Sequence, residues 1–131
     1  MISVIIPTYK RPESLKRLLE SIFLQSEKPD EVIVIDDFSD MKEEYFKVIS
    51  SLPKSDIKIS IFFNKKNMGA PYSRNFGILK AKGDWIALVD DDDIWLKDKI
   101  KYQKKIIENS SINFDFITCN SFIQKNNEKK E

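Results

Sequence analysis

The sequence ISVIIP at residues 2–7 is β-branched and almost wholly apolar. This pattern is typical of a strand that is buried on both faces of a sheet. Pro7 ends the run, and Pro12 and Glu13 fit the first turn of a helix. Leucine, isoleucine and phenylalanine then recur at helical spacing up to Phe23. A buried strand followed by an amphipathic helix predicts the first half of an α/β unit.

The same alternation continues along the chain. Four further strands are predicted, at residues 31–37 (EVIVIDD), 57–63 (IKISIFF), 84–89 (DWIALV) and 114–123 (FDFITCNSFI). Helices are predicted between them, around residues 45–49, from about residue 71 to the glycine at 83, and over residues 94–107. This order predicts an α/β fold whose strands are mostly parallel, with right-handed crossovers and helices on both faces of the sheet. Residues 1–123 are predicted to be one domain, and residues 124–131 a polar tail.

Composition excludes several classes of function. The chain has 131 residues, a net charge of +1, no histidine and one cysteine, Cys119. A histidine base, the usual zinc ligands and an intrachain disulfide are therefore excluded, and no overall positive field favours nucleic acid. No apolar run is long enough to span a membrane, and the N-terminus lacks the basic region of a signal peptide. The expected location is the cytoplasm.

Every unusual polar cluster follows a predicted strand. The clusters are PTYKR after the first strand, DDFSD after the second, NKKNMG after the third and DDDD after the fourth. In parallel α/β sheets, ligands bind beyond the carboxyl ends of the strands. The sequence therefore predicts a binding site at this edge.

Four consecutive aspartates at residues 90–93 follow the fourth strand. One interpretation is structural, with Asp93 capping the next helix. The other is a divalent cation, because Asp90 and Asp92 can point to the same side of an extended segment and hard cations prefer oxygen ligands. An EF-hand does not fit, since Trp95 stands at its glycine position and Lys101 at its twelfth.

The other two clusters also allow two interpretations. Asp36 and Asp37 could close a turn, with Ser39 and Asp40 capping the next helix, or a carboxylate could bind a base or ribose. Arg74, in the first turn of a helix, could pair with an aspartate or bind a phosphate. The three glycines of the chain cannot form the phosphate loop of a Rossmann dehydrogenase or a P-loop NTPase.

Taken together, these motifs resemble the N-terminal half of a family 2 glycosyltransferase of GT-A fold. The motifs that carry the resemblance are VIIPTYKR (4–11), VIDDFSD (34–40), NMGAPYSRNFGILKAKGDW (67–85) and LVDDDDIW (88–95). The chain departs from the family pattern at Lys10, Phe38 and Ser73, where asparagine, glycine and alanine are common.

The resemblance implies a nucleotide-diphosphate-sugar donor, inverting transfer to a saccharide or glycolipid acceptor, and a role in polysaccharide assembly. It implies that the donor contacts Pro7, Thr8, Tyr9, Asp37, Arg74, Asp90 and Asp91, and that Asp92 ligates Mn²⁺ or Mg²⁺. The catalytic base of the family has no counterpart in this sequence, so the catalytic residue is unknown. Missing segments could hold the protein at the inner face of the membrane.

Two rival functions remain open. Asp90, Asp92 and Ile94 nearly match the motif of haloacid dehalogenase-like phosphatases, and response-regulator receivers share the length and an acidic pair. Both of those groups place their acids after the first strand, whereas here the acids follow the second and fourth. The other rival is a nucleotide-sugar-binding fragment without turnover.

Overall fold

A computed structural model describes residues 1–122. Its centre is a four-stranded, wholly parallel sheet with strand order β3-β2-β1-β4. The strands are β1 (Ile2–Thr8), β2 (Glu31–Asp36), β3 (Lys58–Phe63) and β4 (Trp85–Leu88). Every residue of β1 and β2 is buried, as their apolar sequences predict. The predicted α/β class with parallel strands is confirmed.

Helices cover both faces of the sheet. They are α1 (Pro12–Phe23), α2 (Lys42–Ser50), α3 (Ala70–Lys80) and α4 (Lys99–Asn109). Successive side chains of a strand point to opposite faces, so Val4 and Ile6 pack with α1 and α2 in the larger core. Ile5 points the other way, into a smaller core that includes Phe76 of α3. No helix within residues 1–122 is long and apolar enough to cross a membrane.

Helix α3 lies unusually close to the sheet because Gly77 has no side chain. A Cβ atom added at Gly77 would lie 2.5 Å from Ile5 Cγ2 and 2.6 Å from Ile35 Cδ1. Such distances are too short for carbon atoms, so only glycine fits this position without a shift of its neighbours. The close contact fixes the position of α3, and with it the first turn of that helix at the carboxyl edge of the sheet.

The predicted fifth strand is wrong. Residues 114–122 contain no strand, and β4 pairs only with β1 in the described part of the chain. Phe114 instead packs its ring against Trp85, with 5.6 Å between ring centroids. Phe116 and Phe122 are exposed, so the apolar alternation that predicted a strand is not matched by a buried face. Residue 123 and the predicted tail at 124–131 lie outside the described residues.

The sequence predicted that the last helix begins at residue 94, but α4 begins at Lys99. The segment before Lys99 does not form a helical turn. It makes hydrogen bonds to α1 and to the turn that follows α1. Trp95 N donates a hydrogen bond to Ser21 Oγ at 3.0 Å, and the Leu96 carbonyl accepts one from Gln25 Nε2 at 2.8 Å. The capping role considered for Asp93 is therefore wrong, because its amide closes a turn onto the Asp90 carbonyl at 3.1 Å.

Candidate functional site

A cleft of about 200 Å³ opens at the carboxyl edge of the sheet. It is formed where β1, β2 and β4 end and where α3 begins. Its lining residues are Pro7, Thr8, Tyr9, Arg11, Asp37, Ala70, Arg74, Asp90, Asp91 and Asp92. The structure therefore brings together every residue that the sequence assigned to the site, and adds Arg11 and Ala70.

Asp91 is the most deeply buried acid of the cleft, with no exposed surface. Its Oδ2 atom accepts a hydrogen bond of 2.7 Å from Thr8 Oγ1 at the end of β1. Its Oδ1 atom has no hydrogen-bond partner within residues 1–122. Burial raises the pKa of the Asp91 carboxyl, while the Thr8 hydrogen bond and the charge of Arg11 oppose that rise. Asp91 is thus a carboxylate whose charge is costly and only partly compensated.

Arg11 compensates part of the negative charge of Asp91. The sequence prediction did not include Arg11 among the site residues. Its Nη2 atom lies 2.9 Å from Asp91 Oδ1, an ionic contact without the alignment of a hydrogen bond. Its Nη1 atom donates a hydrogen bond of 3.0 Å to Asp92 Oδ2. The only sequence signal was a cation within the PTYKR cluster, whose partners lie about 80 residues away in the chain.

A second arginine of the cleft pairs with Asp90. Arg74, in the first turns of α3, contacts the Asp90 carboxylate. The pairing with an aspartate that the sequence allowed is therefore present. Arg74 also lines the cleft, so the same side chain is placed to meet an anion that enters it.

Asp37 holds the loop that leads from β3 into α3. Its Oδ1 atom accepts hydrogen bonds of 2.8 Å from both Asn64 Nδ2 and Met68 N, and its Oδ2 atom accepts one of 2.7 Å from Gly69 N. Gly69 has φ +87°, a conformation that glycine adopts easily. Oδ1 thereby uses both of its lone pairs, whereas Oδ2 keeps one, so Asp37 can still accept one hydrogen bond from a ligand in the cleft.

A buried chain of hydroxyl groups connects Asp36 with Asp91. Ser39 Oγ donates to Asp36, Tyr45 Oη lies 3.3 Å from Ser39 Oγ and 3.2 Å from Thr8 Oγ1, and Thr8 donates to Asp91. The hydroxyls of Ser39 and Thr8 donate their protons to carboxylates, so the single Tyr45 hydroxyl proton is shared between Ser39 and Thr8.

The capping roles considered for Ser39 and Asp40 are wrong, because residue 41 is the N-cap of α2 and makes no side-chain cap.

Tyr45 was not identified from the sequence. Besides contacting the two hydroxyls, its Oη accepts a hydrogen bond of 3.4 Å from Arg11 N, while Lys10 N donates to Ser39 Oγ at 2.6 Å. These bonds fix the backbone after β1. A buried aromatic residue on a helix is usually core, and nothing adjacent in the sequence distinguishes this one.

Three residues beyond the strand ends adopt a left-handed backbone. They are Lys10 with φ 55°, Phe38 with φ 70° and Asp40 with φ 58°. For a bulky residue such as Phe38, this conformation is strained. Glycine is common at that position in the family that the sequence resembles, and Phe38 keeps the glycine-like turn while its ring is half exposed.

The acids of the cleft fit a divalent metal that a ligand completes. No group of three or more His, Cys, Asp or Glu side chains within residues 1–122 is placed to hold an ion alone. However, Asp91 Oδ1 and Asp92 Oδ2 both contact one guanidinium group, that of Arg11, so two carboxylate oxygens face the same cation. Mg²⁺ commonly takes one or two protein carboxylates and completes its shell with substrate phosphates and water.

Sequence comparison gives consistent matches. A family model described as glycosyl transferase family 2 matches residues 3–130. The chain is 40% identical over 130 residues to an uncharacterized glycosyltransferase of Rickettsia felis, covering 98% of this chain and 20% of that protein. It is 36% identical over 106 residues to the amylovoran biosynthesis glycosyltransferase AmsB of Erwinia amylovora, covering 81% and 35%. The chain thus spans between a fifth and about a third of these relatives.

Two solved structures share the fold. The chain resembles S. aureus TarS in complex with UDP-GlcNAc, with 28% identity and a TM-score of 0.71, over 82% of this chain and 31% of that one. It also resembles the mannosyltransferase PcManGT of Pyrobaculum calidifontis in complex with GDP-Man and Mn²⁺, with 23% identity and a TM-score of 0.63, over 72% and 28%. At the lower identity, the likeness shows the fold alone.

Proposed function

The chain belongs to glycosyl transferase family 2, and on this premise we propose that its cleft binds the nucleoside diphosphate of a sugar donor together with a divalent metal. The GT-A fold expected from the resemblance is confirmed by the likeness to TarS. The observation that carries the proposal is the convergence of Asp37, Arg74 and the acids 90–92 on one cleft. A nucleotide diphosphate needs both hydrogen-bond acceptors for its nucleoside and cations for its phosphates.

Each part of the donor has a candidate partner. In this proposal the end of β1 and Asp37 surround the nucleoside, and Arg74 faces the diphosphate. Asp90 and Asp91 lie on the ribose side, and Asp92 ligates the metal. Asp92 suits that role because it is exposed, whereas Asp91 is buried and bound to Thr8. The donor-binding residues are thus Pro7, Thr8, Tyr9, Asp37, Arg74, Asp90 and Asp91, with Asp92 on the metal.

Asp92 would hold Mn²⁺ or Mg²⁺ against the diphosphate. When bound, the ion neutralises negative charge on the nucleoside diphosphate as the glycosidic bond breaks. The protein residues position the donor: Arg74 approaches the phosphates, and Thr8 holds Asp91 in place. The sugar would pass with inversion to an acceptor hydroxyl whose proton is removed by a base that no residue of this cleft provides.

The acceptor and location follow from family membership alone. We propose a saccharide or glycolipid acceptor in polysaccharide biosynthesis, the process named for AmsB. We place the reaction in the cytoplasm, with peripheral association at the inner face of the membrane. Residues 1–123 would be the nucleotide-sugar-binding domain and residues 124–131 a polar tail.

The test is metal-dependent nucleotide binding. Calorimetric titration of UDP and of GDP, with Mn²⁺ or with chelator, is performed on the parent chain, Asp92→Asn and Asp93→Asn. We expect the parent and Asp93→Asn to bind one of these nucleotides more tightly with Mn²⁺, because a metal removes the repulsion between diphosphate and aspartates. Asp92→Asn keeps the side-chain shape but loses the charge, so it should lose this dependence.

Asp93→Asn is the matched control, since Asp93 is the next acid in the chain, is exposed and does not line the cleft. Equal nucleotide affinity with Mn²⁺ and with chelator in the parent would refute the metal-bridged donor site. So would an Asp92→Asn chain whose metal dependence matches that of Asp93→Asn.

A further inference from the structure

We propose that Arg11 is an internal counter-ion of Asp91 and Asp92, that it lies where the divalent metal would bind beside Asp92, and that the metal must displace it. This inference rests on the proposed function, since it concerns the same metal. It assigns a role to a residue that ends the VIIPTYKR motif but is not among the proposed donor contacts. Arg11 thereby sets how tightly the cleft holds metal before the nucleotide arrives.

The geometry places one guanidinium against an oxygen atom of each of the two aspartates. Arg11 Nη2 lies 2.9 Å from Asp91 Oδ1, and Nη1 lies 3.0 Å from Asp92 Oδ2. Asp91 is fully buried, and its Oδ1 atom has no hydrogen-bond partner within residues 1–122. Among the described residues, the positive charge that contacts this oxygen is the Arg11 guanidinium, through an ionic contact and not an aligned hydrogen bond.

Other cations near the cleft are engaged elsewhere. Arg74 contacts Asp90, and the Lys10 ammonium lies 5.2 Å from the centroid of the Tyr9 ring. Within residues 1–122, Arg11 is the only basic side chain in ionic contact with Asp91 or Asp92. The charge on this pair therefore depends on Arg11 until a metal replaces it.

Arg11 and a divalent ion cannot share these oxygens. A guanidinium and a doubly charged cation within a few ångströms repel each other strongly where solvent screening is weak. The Arg11 side chain is half exposed, so it can swing away from the aspartates into the solvent-filled cleft. A diphosphate in that cleft would then offer it a new anionic partner, since arginine binds phosphate oxygens in pairs.

The displacement of Arg11 has opposite effects on two quantities, the affinity for metal alone and the coupling between metal and nucleotide. Replacing Arg11 by an uncharged side chain should tighten the binding of metal alone, because the competing cation is gone. The same replacement should weaken the mutual tightening of metal and nucleotide, because the displaced guanidinium no longer meets the diphosphate. Such coupling is reciprocal between the two ligands, so it can be measured from either side.

The experiment compares the parent chain with Arg11→Met and Arg17→Met. Methionine keeps most of the side-chain length without charge, and Arg17 is an exposed arginine of α1 whose only described side-chain partner is Ser14. Free Mn²⁺ is measured by electron paramagnetic resonance without nucleotide. We expect Arg11→Met to bind Mn²⁺ roughly five- to tenfold more tightly than the parent, the scale of one half-exposed ion pair or slightly more. Arg17→Met should match the parent.

The second arm adds UDP or GDP, whichever binds the parent. The factor by which the nucleotide raises the affinity for Mn²⁺ should be smaller in Arg11→Met than in the parent.

A third measurement needs no variant of Arg11. The guanidinium NMR signals of the parent are followed as Mg²⁺ is added with nucleotide. Those of Arg11 should shift as its partner changes from carboxylate to phosphate, while those of Arg17 stay unchanged.

The outcomes separate this inference from the proposed function. Mn²⁺ binding to Arg11→Met that is equal to or weaker than in the parent would overturn the displacement of Arg11, even where the nucleotide still requires metal. Unchanged Arg11 signals on addition of Mg²⁺ and nucleotide would overturn it as well, and they decide the matter if Arg11→Met does not fold. A parent chain that binds nucleotide equally with metal and with chelator would remove the proposed metal site, and this inference with it.

Discussion

Thr8 Oγ1 donates a hydrogen bond of 2.7 Å to Asp91 Oδ2, although 83 positions separate the two residues in the chain. The bond is possible because β1 and β4 are neighbours and run in parallel, so their carboxyl ends meet at one edge. It connects the first motif of the sequence with the last. The depth at which Asp91 is held in the cleft therefore depends on a hydroxyl group of β1.

Tyr45→Phe tests the hydroxyl chain behind this bond. Removing the Tyr45 hydroxyl leaves Thr8 and Ser39 without their shared partner and Arg11 N without its acceptor. Since these groups are buried or partly buried, we expect the free energy of unfolding to fall by about 1–3 kcal/mol in urea denaturation.

Tyr102→Phe is the matched control for this change. Tyr102 is exposed on α4, and its hydroxyl has no described partner, so its loss should change stability by no more than about 0.5 kcal/mol. If Tyr45→Phe were as stable as Tyr102→Phe, the Tyr45 hydroxyl would have no structural role.

Gly77→Ala tests the close contact between α3 and the sheet. The added methyl group would meet Ile5 Cγ2 and Ile35 Cδ1, so the free energy of unfolding should fall by about 1–3 kcal/mol. Ile35→Val removes the Cδ1 atom and alone should cost about 0.5–1.5 kcal/mol.

The double variant Gly77→Ala/Ile35→Val provides the sharper measurement. Because the valine makes room for the new methyl group, the double variant should lose less stability than the two single changes added together. Strictly additive losses in urea denaturation would show that the Gly77 contact with Ile35 does not limit how closely α3 packs.

Glu31→Gln tests a buried carboxylate at the opposite edge of the sheet. Glu31 Oε1 accepts hydrogen bonds of 2.6 Å from both Ser3 Oγ and Lys82 N. Desolvation raises the pKa of Glu31, but these bonds and the charge of Lys82 together outweigh it, so the pKa is lowered overall. The ionised carboxylate therefore stabilises the folded chain.

The lowered pKa sets the pH range of this effect. The stabilisation is fully present above the ordinary value of 4.5 and is lost as pH falls through the lower pKa of the folded state. The stability difference between the parent and Glu31→Gln should thus be largest near neutral pH and shrink in acid. Glu20→Gln, at an exposed position of α1, should show no such trend. A difference for Glu31→Gln that stays constant with pH would contradict the prediction.

Much of the fold could be predicted because its strands are buried on both faces. The runs 2–7 and 31–37 allow few alternatives, and the structure has strands there with bounds that differ by one residue. Segments whose structure depends on distant partners were predicted wrongly. Residues 114–122 are rich in strand-forming residues but do not pair with β4, although β4 is an edge strand of the described sheet. Trp95 begins no helix, and its amide binds Ser21.

The candidate site was predicted as a set of residues but not as a network. The edge rule for parallel sheets is enough to bring the acids 90–92 to Asp37 and Arg74, and they do line one cleft. Arg11 and Tyr45 were missed because their roles depend on hydrogen bonds and ion pairs across the fold. No local pattern shows that Arg11 contacts two aspartates about 80 positions away.

The interior position of β1 also affects how the chain folds during synthesis. β1 is made first, and β2 can cover one of its edges early, but its other edge stays open until β4 leaves the ribosome. At synthesis rates of about 5–20 residues per second, adding the 83 positions between Thr8 and Asp91 takes roughly 4–17 s. During that interval an apolar strand edge is exposed, which favours aggregation. We expect the nascent chain to depend most on chaperones then, and the cleft to be the last part of the sheet edge to form.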